Sequence, residues 1–273
     1  LLLNFRKLGF KHYNIFLDKV SKEELEEFQN NSQISVILEV FGPKKIILEV
    51  ITKNLELFLE TSITNQKVEI VELLNDNFHF TNFFNIKINK NILEKEIEKK
   101  EFDTLTNVPF GNGLGIFNSL KLDLIDSKIL LTLSTNPKLS TLGICKETKL
   151  NRQTVTNHIK KIKTQGLIYK KIYGVNNFTL GFEDYFLKIN FIQKDKKDIS
   201  DIINKNKYIS ISCSSYQSVT TYISVPSYRE LAKFVEELES ISKEVKVESF
   251  QILNVKKIEN LPKIVKAELE KNK

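Results

Sequence analysis

The residues best suited to chemistry in this chain lie between Asn151 and Tyr173. This stretch holds six basic residues (Arg152, Lys160, Lys161, Lys163, Lys170 and Lys171) and no acidic one. Val155, Ile159 and Ile162 fall at helical spacing, so a helix here must turn them toward a core. Arg152, Gln153, Thr156, Asn157, Lys160 and Lys163 are then left outward. Arg, Gln and Asn can make paired hydrogen bonds to guanine or adenine edges. They stand in the first turns, the part of a reading helix that enters the major groove. Lys160, Lys161 and Lys163, with Lys170 and Lys171 further on, suit phosphate contacts. The candidate interface with double-stranded DNA is therefore Asn151, Arg152, Gln153, Thr154, Thr156, Asn157, Lys160, Lys161, Lys163, Lys170 and Lys171. The plainer alternative is a solvated lysine-rich helix. Nearly all of the net charge of +7 sits on this one element, which favours DNA.

The flanking text supplies what would position such a helix. Leu122, Leu124, Ile125, Ile129, Leu130 and Leu133 predict a first helix with a wide apolar stripe, ending near Asn136-Pro137. Ser140 can cap a second helix through Glu147, and Thr148-Lys149-Leu150 makes the turn. Asn151 is a good N-cap for the third helix, and Gly166 suits the left-handed position that ends it. Leu167 to Tyr173 and Asn177 to Leu180 flank Gly174-Val175-Asn176, a hairpin wing. Residues 120–176 thus read as a winged helix-turn-helix.

Other chemistries find little support. Cys145 and Cys213 form no C-x-x-C pair, and His12, His79 and His158 are scattered, so neither disulfide, metal centre nor cofactor is expected. Gly111-Asn112-Gly113-Leu114-Gly115 lacks the following Lys-Ser/Thr of a phosphate loop and reads as linker. Phe78, Phe80, Phe83 and Phe84 have no interleaved basic residues and read as an edge strand or subunit contact. No apolar run reaches membrane-span length and no signal peptide is visible, so the expected place is the cytoplasm. There is no methionine, and Leu1 reads as the start of a fragment or a processed product. A length of 273 residues, 41% of them hydrophobic, suggests two or three domains with real cores.

An internal repeat organises the remainder. Leu8-Gly9-Phe10-Lys11-His12-Tyr13 recurs as Leu180-Gly181-Phe182-Glu183-Asp184-Tyr185. In the first copy a strand from Tyr13 leads to a helix opened by a capping box, Ser21 with Glu24. Strands at Ile34–Val40 and Lys45–Thr52, a helix from about Asn54 and a strand at Lys67–Leu74 complete it. The second copy runs in the same order: a strand from Tyr185, a helix near Asp198–Asn204, and strands at Tyr208–Cys213 and Val219–Val225. A helix boxed by Ser227 and Glu230 and a strand at Glu244–Gln251 follow. Each is β-α-β-β-α-β, the ferredoxin-like order. Helices cover one sheet face. The other would carry Ile34, Val36 and Leu38, or Ile209, Ile211 and Cys213, and needs a partner. The two copies are expected to pair through these faces, within one chain or between chains.

These motifs resemble the Lrp/AsnC (leucine-responsive/asparagine regulator) family. The resemblance rests on Leu122-Asp123-x-x-Asp126-x-Lys128-Ile129-Leu130, Thr154-Val155, Ile159-Lys160-Lys161-Ile162, Gly166-Leu167-Ile168 and Leu180-Gly181-Phe182. It implies an α+β fold in which a winged helix-turn-helix is flanked by two ferredoxin-like (βαββαβ) effector and oligomerisation domains. The expected division is 1–86, linker 87–119, DNA-binding domain 120–176, second effector-type domain 177–260 and tail 261–273. The family further implies a transcriptional regulator that self-associates as a homodimer or higher oligomer and binds an amino-acid-like small effector. Lys149 replaces the family's turn glycine, and the acid usual in the central hairpin is missing from both copies, so no effector-binding residue is assigned. The alternatives are a sirohaem decarboxylase-like enzyme of similar architecture or a low-specificity nucleoid protein. The first relies on His and Arg in the effector-domain hairpins, and Phe41–Lys45 and Ser214–Val219 hold neither.

Overall fold

A computed structural model of the chain describes residues 5–63, 68–78, 108–109, 122–136, 138–165, 181–258 and 263–271. The first unit runs β1 (Lys11–Leu17), α1 (Lys22–Asn30), β2 (Ile34–Phe41), β3 (Ile46–Thr52), α2 (Leu55–Ser62) and β4 (Val68–Leu73). Short strands β5 (Asn75–Phe78) and β6 (Val108–Pro109) follow, then helices α3 (Leu124–Thr135), α4 (Thr141–Thr148) and α5 (Arg152–Thr164). The second unit is β7 (Glu183–Asn190), α6 (Lys196–Lys205), β8 (Ile209–Ser214), β9 (Ser218–Val225), α7 (Tyr228–Glu239) and β10 (Lys246–Ile258). Helix α8 (Lys263–Lys271) comes last. The fold is α+β, with each unit's strands in ferredoxin-like order: β4-β1-β3-β2 and β10-β7-β9-β8.

Local signals explain most helix starts. Ser21 accepts from the Glu24 amide at 3.1 Å while the Glu24 carboxylate accepts from the Ser21 amide at 2.7 Å, the reciprocal box that opens α1. Asn54 caps α2 through the Leu57 amide. The box expected at Ser227 does not form. The Ser227 side chain makes no capping bond, and Glu230 turns to Lys233 at 2.7 Å instead. Gly9 and Gly181, at the head of each repeat, have φ of 80° and 74°, a left-handed bend that side chains resist.

The two sheets join into one of ten strands, β4-β1-β3-β2-β10-β7-β9-β8-β5-β6. Strand β10 makes the joint. Its first half pairs with β7, and its second half, from Gln251 to Ile258, pairs with β2. The sequence ended this strand at Gln251; the extension exists because β2 offers a free edge to receive it. At the far edges, β4 pairs with β1, and β5, one residue further along the chain, pairs with β8. Only Leu74 separates β4 from β5, so the sheet must curl until its ends approach.

Curling sets the two open faces against each other. Three buried clusters lie in layers: one under the helices of each unit, and one between the units. The last joins Phe16, Leu38, Ile47 and Val71 to Phe186, Cys213, Phe250 and Ile252. Val36, Leu38, Ile211 and Cys213 therefore lie on the faces that meet, within one chain. Ile34 and Ile209 do not, and lie under the helices. The cause is a matched pair of bulges. Ile34 pairs with Val50 but Val36 with Glu49, and Ile209 with Ile223 but Ile211 with Tyr222. Ser35 and Ser210 are the extra residues, and each hydroxyl donates to the backbone of the neighbouring strand, at Glu49 and Tyr222.

Helix α8 docks the three-helix head, α3 to α5, on this sandwich. Val265 and Leu269 are buried in a cluster with Ile129, Leu130, Leu133, Val155 and Ile162 of the head and Leu8, Phe10 and Ile51 of the first unit. A Lys53–Glu268 ion pair at 2.7 Å and the Ile264 amide bonded to the Ser32 carbonyl fix its position.

Candidate nucleic-acid interface

Three helices build the head, and each starts on its own side-chain cap. Asp123, Ser140 and Asn151 accept from the amides of Asp126, Gly143 and Thr154 at 2.8, 3.2 and 2.8 Å. Helix α3 buries Ile129, Leu130, Leu131 and Leu133, whereas Leu124, expected on its apolar stripe, is exposed at its first position. Between α4 and α5, Lys149 holds φ 57°, a left-handed turn that a side chain enters at a cost of about 1–2 kcal/mol.

Helix α5 buries Val155 and Ile162 and half-buries Ile159. Asn151, Arg152, Gln153, Thr156, Asn157, Lys160 and Lys163 are exposed, and Thr154 is half-buried. Three of the exposed candidates already have intramolecular work. The Asn151 side chain caps the helix, and the Gln153 amide donates to Asn157 at 3.5 Å. Lys170 and Lys171, like Gly166 and the wing, lie outside the described residues.

Lys161 is placed differently from its neighbours. Its ammonium reaches back to α3, 2.7 Å from Asp123 and 2.6 Å from Asp126. His158, one turn earlier, meets Asp126 at 2.8 Å. Asp126 is fully buried, and these two side chains supply its partners from α5. Hydrogen bonds to Asp123 and Asp126 hold the Lys161 ammonium above its ordinary pKa. Partial burial pushes the Asp123 carboxyl up, but hydrogen bonds from Lys161 and from Asp126 outweigh it and bring the value down to about 2. Asp123, Asp126 and His158 bring ligand atoms within 4.8 Å of one another, the geometry of a cation site. The Lys161 ammonium already spans both carboxylates there. This network was missed as a functional group from sequence. Its trace is two carboxylates three apart opening α3, and a histidine and a lysine, His158 and Lys161, three apart on α5.

The arrangement is a helix-turn-helix with a polar, basic reading face, seated beside a two-unit sandwich. Residues 122–169 match the family model described as winged helix-turn-helix DNA-binding. The chain is 28% identical over 134 residues to the HTH-type transcriptional regulator Ptr1 of Methanocaldococcus jannaschii, covering 49% of this chain and 86% of that protein. Among solved structures, the siroheme decarboxylase NirDL is similar over 99% of this chain and 81% of its own, with a TM-score of 0.59 and 12% identity, a likeness of fold. E. coli AsnC aligns over 50% of this chain and 94% of its own at a TM-score of 0.42 and 16% identity. Residues 122–169 are thus similar to DNA-binding winged helix-turn-helix segments, and about half of the chain is similar to a transcriptional regulator, in line with the resemblance carried by its motifs. No helix among the described residues is long and apolar enough to cross a membrane.

Proposed function

We propose that the chain is a sequence-specific DNA-binding transcriptional regulator that reads the major groove with α5. One observation carries this reading: Arg152, Gln153, Thr156 and Asn157 all stand exposed on the opening turns of a helix whose other side is buried. Arg152, Gln153 and Asn157 contact bases, while Lys160, Lys163, Lys170 and Lys171 hold phosphates. Lys161 supports the helix from behind. Half-sites lie about one helical turn apart, so two-fold reading requires a homodimer or larger assembly. The sandwich is the place for a small amino-acid-like effector to act, and the cytoplasm is the setting. The test is the affinity for a selected duplex against a random one at fixed salt. A ratio of about 10³ or more is expected. A ratio near one identifies a nucleoid-type packaging protein instead.

A second reading rests on the whole-chain likeness to siroheme decarboxylase, which extends over both units rather than the head alone. The hairpins at 41–45 and 214–219 contain neither His nor Arg, which weighs against it. Incubation with sirohaem and a search for decarboxylated product separates the two readings.

A further inference from the structure

The two units share one scaffold, and strand register matches their residues one to one. Asn14 faces Glu49 across β1 and β3, and Phe186 faces Tyr222 across β7 and β9. Asn14 thus corresponds to Phe186, Glu49 to Tyr222, Phe16 to Lys188 and Ile47 to Thr220. By the pairing of β4 with β1 and of β10 with β7, Glu69 corresponds to Glu248.

Corresponding positions carry opposite chemistry, and the contacts between units use the difference. Buried Asn14 donates to buried Thr220 at 2.9 Å, where the mirrored positions are Phe186 and Ile47, both apolar. Tyr222 donates to its own counterpart Glu49 at 2.5 Å. Burial, then the Glu49 carboxylate, raises the Tyr222 phenol well above its ordinary pKa, so it keeps the proton it donates. Lys188 is 3% exposed and bridges Glu69 of the first unit and Glu248 of the second, with its ammonium 5.6 Å from the ring of its counterpart Phe16. Burial disfavours that ammonium, but the hydrogen bonds to Glu248 and Glu69 prevail and raise its pKa.

We infer that each sandwich face is built to accept the other unit and to refuse a second copy of itself. Two first-unit faces together would set Glu49 against Glu49, place Asn14 on Ile47, and strip Lys188 from both Glu69 carboxylates. Two second-unit faces would set Tyr222 against Tyr222 and Phe186 on Thr220. Either arrangement buries polar groups without the partner that offsets their desolvation. The chain therefore satisfies this face internally, and assembly of several chains must use another surface.

The test takes the full chain in four forms: unaltered, Y222E, E49Y and the exchange E49Y/Y222E. Y222E imitates a first-unit pair and E49Y a second-unit pair, so each is expected to melt about 5 °C or more below the unaltered chain. The exchange restores a carboxylate facing a phenol with the units reversed, and is expected to regain more than half of the summed loss. Additive losses in the exchange would overturn the inference. Should either single variant fail to fold, E49Q, Y222F and their double read the same coupling with smaller changes. Strong non-additivity there supports the pairing, and simple additivity refutes it.

Discussion

In the head, α3, α4 and α5 each begin on a side chain bonded to an amide three residues later. In the sandwich, two of the side-chain bonds between units join residues 206 positions apart, at Asn14 and Thr220, and 173 apart, at Glu49 and Tyr222. The head is thus a locally specified element with a small core, and the sandwich a non-local one whose halves define each other. That division suits a reader. The outer face of α5 can change from one target to another without disturbing any core, because none of its exposed residues packs there. The sandwich tolerates less drift, since Asn14, Glu49 and Glu69 of one unit answer Thr220, Tyr222 and Lys188 of the other.

The contrast breaks first at the aromatic centre of the sandwich. Phe186 is fully buried and packs edge-on against Tyr222 at 5.0 Å and Phe16 at 6.0 Å. Phe186→Ala is expected to cost about 3–5 kcal/mol and to loosen both units together. Ile162→Ala, equally buried in the head, should cost about 2–5 kcal/mol and loosen mainly α3, α4 and α5. Hydrogen exchange followed by unit reads this directly. Loss of protection confined to the second unit in Phe186→Ala would show that the halves are independent.

What the sequence made legible follows the same line. Caps at Ser21, Ser140 and Asn151, and the burial of Val155 and Ile162, depend on neighbours a few residues away, and all of them stand in the structure. The order of both units was legible because the repeat supplied two readings of one pattern. The bulges at Ser35 and Ser210 were not, since a bulge is a mismatch with another strand and leaves no mark in its own alternation. For the same reason Ile34 and Ile209 were expected on the wrong face, and β10 was ended too early. Within the site, Lys161 counted as one more phosphate-binding lysine. Only the crossing of α5 over the start of α3 shows it engaged with Asp123 and Asp126.

That placement sharpens the comparison at the DNA face. Asn157→Ala should lose about 1–3 kcal/mol on the preferred site and relax specificity there. Lys163→Ala should weaken all duplexes alike and reduce the slope of log affinity against log salt by about 0.9. Lys161→Ala should leave that slope unchanged and lower the denaturant midpoint of the head, because it exposes the buried Asp126 charge to an incomplete set of partners. Fluorescence anisotropy at several salt concentrations distinguishes the two lysines. An equal change of slope in both would return Lys161 to the phosphate contacts. Smaller still is Lys149→Gly, which relieves the left-handed turn and should stabilise the head by about 1 kcal/mol in urea unfolding, with DNA affinity unchanged.

The smallest expected effect is a dependence on acid at the start of α3. Asp123 titrates at about 2 in the folded chain, against 3.8 for the free side chain. A carboxyl depressed by folding stabilises the fold wherever it is ionised in both states. That contribution is complete above pH of about 4 and is lost as pH falls toward the folded value. Its side chain is 47% exposed, so solvent screening keeps the size at the low end for ion pairs, below about 1 kcal/mol. Comparing Asp123→Asn with the unaltered chain in urea, at steps from pH 6 to pH 2, isolates it. The difference should hold steady down to about pH 4 and then shrink toward zero near pH 2. The variant keeps a side chain able to cap α3, so what disappears is the charge facing Lys161 rather than the helix start. A difference that stayed constant across the whole range would mean that Lys161 draws its hold on α3 from the buried Asp126 alone.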